Sequence, residues 1–172
     1  MLQTDMSVAS YWVTHPTNHF TGNVAAGSDF YGFWYEIKER PDGPSATNDV
    51  CPVGNPLGIV ANNIAHSNVR FGLRIFKLAA RTYPCMDIRN DSLADDPWAS
   101  NPSITSLFEN FTLYKNLEDG LLSEHTGDIV FKNFTIADNI RSGVEFWTSN
   151  FTRQPPLVLD SAIVGVTSTN AH

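Results

Sequence analysis

The sequence predicts an all-β fold: a right-handed parallel β-helix, a solenoid of about five turns with two inserted loops. Three observations predict it. The composition is that of strands and turns. Only 17% of the 172 residues are charged, aromatics make up 12%, and fifteen residues are Asn. Asn tolerates left-handed backbone, and aromatic and β-branched residues favour pleated surfaces. A helical bundle is excluded. The second observation is a pattern that recurs around glycine, and the third is its period.

Four stretches share the pattern: Asn23 to Trp34, Asn63 to Leu73, Asn110 to Leu121, and Asn133 to Val144. Each begins with Asn and carries a small polar residue four positions before a glycine. Those residues are Ser28, Asn68, Asn116 and Asn139, ahead of Gly32, Gly72, Gly120 and Gly143. An apolar residue follows every glycine. Gly120 and Gly143 stand 23 residues apart, a solenoid period. The two longer intervals each hold an extra segment, 39–56 and 79–103, rich in Pro, Asp and Ser. A leucine-rich repeat has a similar period, but its L-x-x-L-x-L frame is absent.

The elements follow in order. Ser10–Thr14 reads as a strand, and short apolar runs at 129–136 and 143–147 read as strands broken at Asn and Gly. Inward side chains of a solenoid stack along its axis. One expected ladder is Phe20, Leu57 or Ile59, Phe108 and Phe131. A second is Val24, Ile64, Phe111 and Phe134, and a third is Phe33, Leu73, Leu121 and Val144. The four glycines are expected to turn the chain where side chains would clash. The repeated Asn residues are expected to form a stacked internal or corner ladder that satisfies backbone at the bends. A fifth repeat starts near Leu157. Neither end reads as a cap, so the expectation is one segment, 1–172, of a longer solenoid.

Cys51 and Cys85 are the only cysteines. They are either free buried thiols or a disulfide. Their Pro-rich, loop-like settings favour a disulfide tying the two insertions together. Closing that loop would stabilise the fold by roughly 3–4 kcal/mol in the chain-entropy model. Four glycosylation sequons occur, at Asn90, Asn110, Asn133 and Asn150. These features look extracellular. Residues 1–10 have no secretion-signal pattern and no run is long enough to span a membrane, which strengthens the expectation of a fragment.

The net charge of −7, with basic residues scattered singly, disfavours nucleic-acid and anionic-membrane partners. No H-E-x-x-H pattern and no nucleophile-elbow, Walker or Rossmann motif is present. His15 and His19 are close but lack acidic support, and His66 beside Ser67 reads as structural. No cofactor is expected, apart from weak calcium binding by the acidic cluster Asp87, Asp91, Asp95 and Asp96, which lacks EF-hand spacing. The catalytic candidates are Asp29, Arg70 and Asp119, with Asp138 or Arg141. They fall near the repeat glycines and would form an outward row if strands stack in register. An ordinary solvated face is the simpler reading. Trp12, Trp34, Tyr35 and Trp147 are candidates for sugar stacking, though core burial accounts for most aromatics in such a chain.

These residues carry a family resemblance. Ser10–Pro16, Asn23–Ser28 and Gly32–Tyr35, with Pro41–Ser45, Cys51-Pro52, Pro56–Gly58, Ala65–Ser67 and Arg70–Phe76, resemble the parallel β-helix region of the fibrocystin family. Tyr114–Asn116 and Gly127–Phe131 continue it more loosely. A more distant resemblance is to the hyaluronan-depolymerising transmembrane protein 2 family, which shares the A-A-G-S, G-F-W and P-x-G-P-S pieces. The first resemblance implies a non-catalytic structural or interaction module of a glycosylated cell-surface or ciliary protein. Its partners would be the rest of its own chain, neighbouring extracellular proteins or glycans. The second implies polysaccharide binding or cleavage, with no catalytic residue transferable by a matched motif.

Overall fold

A computed structural model describes residues 7–86, 100–148 and 154–167. Thirteen strands fill these segments: β1 (Ala9–Val13), β2 (Phe20–Thr21), β3 (Val24–Ala26), β4 (Tyr31–Glu36), β5 (Val60–His66), β6 (Phe71–Phe76), β7 (Ser106–Tyr114), β8 (Asp119–Glu124), β9 (Ile129–Lys132), β10 (Thr135–Ala137), β11 (Ser142–Trp147), β12 (Leu157–Leu159) and β13 (Ala162–Val164). Each pairs in parallel with its counterpart one repeat away, so the chain winds as stacked coils. A five-stranded sheet runs β1-β4-β6-β8-β11. The other sheet holds β12-β9-β7-β10-β13 with β2, β3 and β5.

That second sheet has two faces. β5 and β7 each bend at one left-handed residue, Asn62 (φ 60°) and Asn110 (φ 55°). The first part of each strand pairs on one face and the second part on the next. Gly22, Asn133 and Asp160 have the same conformation at the same level of their coils. A second corner repeats the device at Gly27, Ser67, Lys115 and Asp138. Left-handed backbone disfavours most side chains. Apart from Lys115, these corners therefore recruit Gly, Asn, Asp and Ser, which is one source of the high Asn content.

The core lies between the three faces. Tyr11, Phe33, Leu73, Leu121 and Val144 stack in register, as the repeat predicts. The ladder through Phe20, Phe108 and Phe131 also forms, but its remaining member is Val60, not Leu57 or Ile59. A shift of one residue reverses a strand side chain, and Ile59 is exposed. The second expected ladder is corrected more deeply. Val24 and Ile64 pair with Thr112, whereas the buried column is Ala25, Ala65, Leu113 and Ile136. Phe111 and Phe134 do stack, at 5.1 Å, but beside Asn63. The counterpart of Asn110 is Asn62, so aligning it with Asn63 misplaces the whole segment by one. Each fully buried Phe here contributes on the order of 2–3 kcal/mol, so this register is strongly enforced.

The repeat glycines sit inside strands β4, β6, β8 and β11, not at turns. A Cβ on Gly72 would lie 2.8 Å from Asn116 Nδ2 and 2.9 Å from the Gly120 carbonyl oxygen. Glycine is needed there because an internal amide ladder occupies the space of a side chain. In that ladder the Ser28 N–H donates to Asn68 Oδ1 at 3.1 Å. Asn68 N–H and Nδ2 donate to Asn116 Oδ1 at 3.2 and 2.9 Å. Asn116 N–H and Nδ2 donate to Asn139 Oδ1 at 3.1 and 2.8 Å. Asn139 Nδ2 ends the chain on the Leu113 carbonyl at 3.2 Å. The expected Asn ladder is therefore internal, and it satisfies backbone donors where the coil turns.

Cys51 and Cys85 are disulfide-bonded across 34 residues and join the two insertions. The first insertion is built from short 3-10 turns, Gly43–Ser45 and Pro52–Gly54. The second is closed by an antiparallel bridge between Arg81 and Ser103.

Candidate functional site

On the outward face of the five-stranded sheet, charged and aromatic side chains align on successive coils. Outward strand residues normally meet water, yet Tyr31, Trp34, Phe71 and Leu122 form a second buried cluster there. Three arginines cover it. The guanidinium of Arg70 lies 5.0 Å from the Phe71 ring centre, Arg74 5.4 Å from Tyr31, and Arg141 5.6 Å from Phe71. Their alkyl stems shield the rings while the heads remain available for ion pairing.

Each head is held by a carboxylate. Arg70 meets Glu118 through two bonds, Nε to Oε1 at 2.8 Å and NH2 to Oε2 at 3.2 Å. That fork raises the Arg70 pKa further above its ordinary value. Arg74 Nε donates to Glu124 at 2.6 Å, and its NH1 donates to the Tyr31 hydroxyl at 2.9 Å. Arg141 Nε donates to Asp119 Oδ1 at 2.9 Å, its NH2 bonds Oδ2, and NH2 also reaches Glu145 at 2.6 Å. The Asp119 hydrogen bond is the largest cause of a raised Arg141 pKa. Ser142 Oγ donates to Asp119 Oδ1 as well, at 2.9 Å. The Asp119 side chain is fully buried beneath these partners.

The three catalytic candidates therefore do not form one row. Backbone bonds place Arg70, Glu118 and Arg141 at one level of successive coils, and Val69 and Leu117 at the level before it. Phe71, Asp119 and Ser142 share the level after it. Asp29 precedes this face at the corner and is exposed. Asp138 sits at that corner too, where its carboxylate accepts the Thr167 N–H at 2.6 Å. The sequence signal lay in the offset from the repeat glycine. Phe30, Arg70, Glu118 and Arg141 all stand two residues before one, whereas Asp29, Arg70 and Asp119 stand at three different offsets. Glu118 was missed for that reason, and Arg74, Glu124 and Tyr31 because their contact runs across coils and carries no shared offset.

The tryptophans divide. Trp12 stacks on Trp34 at 5.3 Å and 9°, and its Nε1 donates to Glu36 at 3.0 Å. Trp12 is 59% exposed and borders a cavity of about 300 Å³ with His15, Lys38 and Asp42. Trp147, at the other end of the face, donates to Glu145 at 2.6 Å and is half exposed. Trp34 and Tyr35 are buried, Tyr35 entirely within the core. His66 stacks on Tyr114 at 4.7 Å and contacts Ser67 Oγ at 3.1 Å. Among the described residues no group of His, Cys, Asp and Glu is arranged to hold a metal ion. The acidic cluster Asp87, Asp91, Asp95 and Asp96 and the sequons at Asn90 and Asn150 lie outside the described residues. Asn110 and Asn133 are exposed at the first corner. Among the described residues no helix is long and apolar enough to cross a membrane.

Stacked parallel coils, a buried amide ladder and an outer face closed by arginine–carboxylate pairs define a module of the β-helix class. Residues 1–73 match the family described as the CEMIP beta-helix. Over 147 residues the chain is 33% identical to fibrocystin-L of Mus musculus, covering 84% of this chain and 3% of that protein. The human fibrocystin-L is 32% identical over 145 residues, again 84% of this chain and 3% of the relative. The human cell surface hyaluronidase CEMIP2 is 33% identical over 148 residues, 78% of this chain and 10% of that protein. The chain belongs to the β-helix family that fibrocystin-L and the CEMIP proteins share, and it spans a small part of the length of these relatives.

Proposed function

We propose that the chain is a non-catalytic structural and interaction module: a right-handed β-helix of about five turns within a longer, glycosylated surface protein, the ciliary membrane included. Its partners are adjoining coils of its own chain, neighbouring extracellular proteins and glycans, and it works without a bound cofactor. One observation carries this reading. The carboxylates and guanidiniums that align on successive coils neutralise one another: Glu118 with Arg70, Glu124 with Arg74, and Asp119 with Arg141. Acid–base chemistry needs a group free to gain or lose a proton beside the substrate. Here the best-placed carboxylate is buried and spent on holding two coils together.

A second reading, polysaccharide binding or cleavage, draws on the aromatic ends of the same face, above all the exposed Trp12 ring stacked on Trp34. The experiment that separates them is a depolymerisation assay on the full-length parent, with Asp29→Ala and Asp119→Ala each compared with the wild type. The structural reading expects no change in rate from Asp29→Ala, and from Asp119→Ala only what the loss of folded protein explains. Loss of depolymerisation in both variants, with circular dichroism and melting unchanged, would overturn it.

A further inference from the structure

We propose that the first corner of the coil carries a single N-linked glycan, and that Asn133, not Asn110, is its attachment site. Both residues head an Asn-Phe-Thr sequon. They lie at the same corner of neighbouring coils, because Glu109 pairs with Lys132 just before it and Thr112 with Thr135 just after it. Adjacent strands are about 4.8 Å apart. An N-acetylated pyranose is broader than that spacing, so two such sugars leaving the same column overlap.

The two amides differ. Asn110 Nδ2, the atom that would be glycosylated, donates to Asn62 Oδ1 of the preceding coil at 3.0 Å. A sugar placed on it must displace that bond or lie over Asn62. Asn133 makes only a backbone bond, its N–H to the Leu159 carbonyl at 3.0 Å. Among the described residues its side chain has no hydrogen-bond partner. The sequon hydroxyls differ in the same sense: Thr135 is exposed and Thr112 half-buried. Left-handed backbone at both Asn residues projects them outward at the bend (φ 55° and 58°). In the transfer, Asn133 Nδ2 attacks the anomeric carbon of a lipid-diphosphate-linked oligosaccharide. The new C–N bond forms as the C–O bond breaks, the lipid diphosphate leaves with the electron pair, and the amide proton passes to the transferase's base. The glycan holds this corner in solvent and leaves the arginine-covered face for partners.

This inference rests on the cell-surface reading. The test sends the chain, behind a secretion signal, through a eukaryotic secretory pathway in an Asn90→Gln/Asn150→Gln background. The secreted protein is trimmed to one sugar per site and its intact mass and glycopeptides are measured. The expected result is one sugar per molecule, on Asn133. Asn110→Gln and Thr112→Ala leave it unchanged, and Asn133→Gln and Thr135→Ala remove it. Molecules modified at both residues, Asn110 occupied above Asn133, or neither occupied would overturn the proposal. If a variant is not secreted, translation into microsomes gives the same comparison as a gel shift. The cell-surface reading fails separately, by a full-length parent that never acquires glycans while the signal-directed chain is modified at Asn133.

Discussion

Two columns of asparagine run along the same coil and serve opposite ends. The inner one, Asn68, Asn116 and Asn139, is buried and gives both ends of each amide to hydrogen bonds. The outer one, Asn62, Asn110 and Asn133, is exposed and is there for its backbone, each residue adopting a positive φ. In the first column the side chain is irreplaceable and the backbone ordinary; in the second the reverse holds. The same residue type thus marks a place where a coil is sealed and a place where it bends. The difference predicts which substitutions the fold tolerates.

The largest effect belongs to the inner column. Asn116→Ala removes an amide that accepts two bonds from Asn68 and donates one to Asn139. It leaves the buried Asn68 N–H and Nδ2 without an acceptor. An unsatisfied buried group costs about 1–3 kcal/mol, so the loss is about 3 kcal/mol or more. Asn110→Ala gives up only a surface bond and the short polar side chain that eases a left-handed backbone, about 1 kcal/mol. Denaturant melts of the two variants check the ordering. Equal losses would abolish the distinction between the columns.

How much of this was legible in the sequence depends on which property a residue served. The Phe33, Leu73, Leu121 and Val144 ladder was legible because each member directly follows a repeat glycine, which fixes its phase. The amide ladder was legible for the same reason. The Asn63 and Asn110 alignment failed because Asn63 stands nine residues before its glycine and Asn110 ten, and a pattern matched by residue type cannot separate a sealing Asn from a bending one. Positive φ is a property of the backbone, so Asn62 and Asn63 look alike in the sequence. The disulfide was readable from the two insertions it joins. The outer face was only partly legible. Its charges were visible, but pairing Arg141 with Asp119 instead of placing Arg70 beside it required the register.

Tyr35 sharpens the contrast from the inner side, because it breaks the rule that the amide ladder obeys. Its hydroxyl is buried in the core and, among the described residues, has no hydrogen-bond partner. Burial pushes the phenol pKa well above its ordinary value of 10.0. Tyr35→Phe removes the orphaned group and is expected to stabilise the fold by about 1–2 kcal/mol at neutral pH. The pH dependence has a definite sign. A raised folded-state pKa means that folding retains a proton that the unfolded chain releases above about pH 10. The contribution is intact below pH 10 and falls as pH rises beyond it, by up to about 1.4 kcal/mol per pH unit. Melting temperatures from pH 8 to 11 should therefore drop more steeply for the wild type than for Tyr35→Phe. Parallel curves would mean that the hydroxyl ionises in the folded protein as readily as in the unfolded chain, and so reaches water.

The smallest effect tests the outer rule at the second corner. There the left-handed position passes from Gly27 and Ser67 to Lys115 and Asp138. Lys115 is exposed at φ 54°, and a side chain of its type gains little from that conformation. If corners select residues for backbone freedom alone, Lys115→Asn should stabilise the fold by a few tenths of a kcal/mol. Lys115→Gly should gain somewhat more from relieved strain, offset in part by the greater entropy of the unfolded chain. At Asn116 the change to Gly should destabilise strongly, because it deletes the buried amide. A double-mutant comparison of Lys115→Gly with Asn116→Gly therefore sets two adjacent residues in direct opposition, one improved by losing its side chain and one ruined by it. Should Lys115→Gly lose as much stability as Asn116→Gly, the corner would depend on the lysine side chain, and the outer column would have to be explained by contacts instead of conformation.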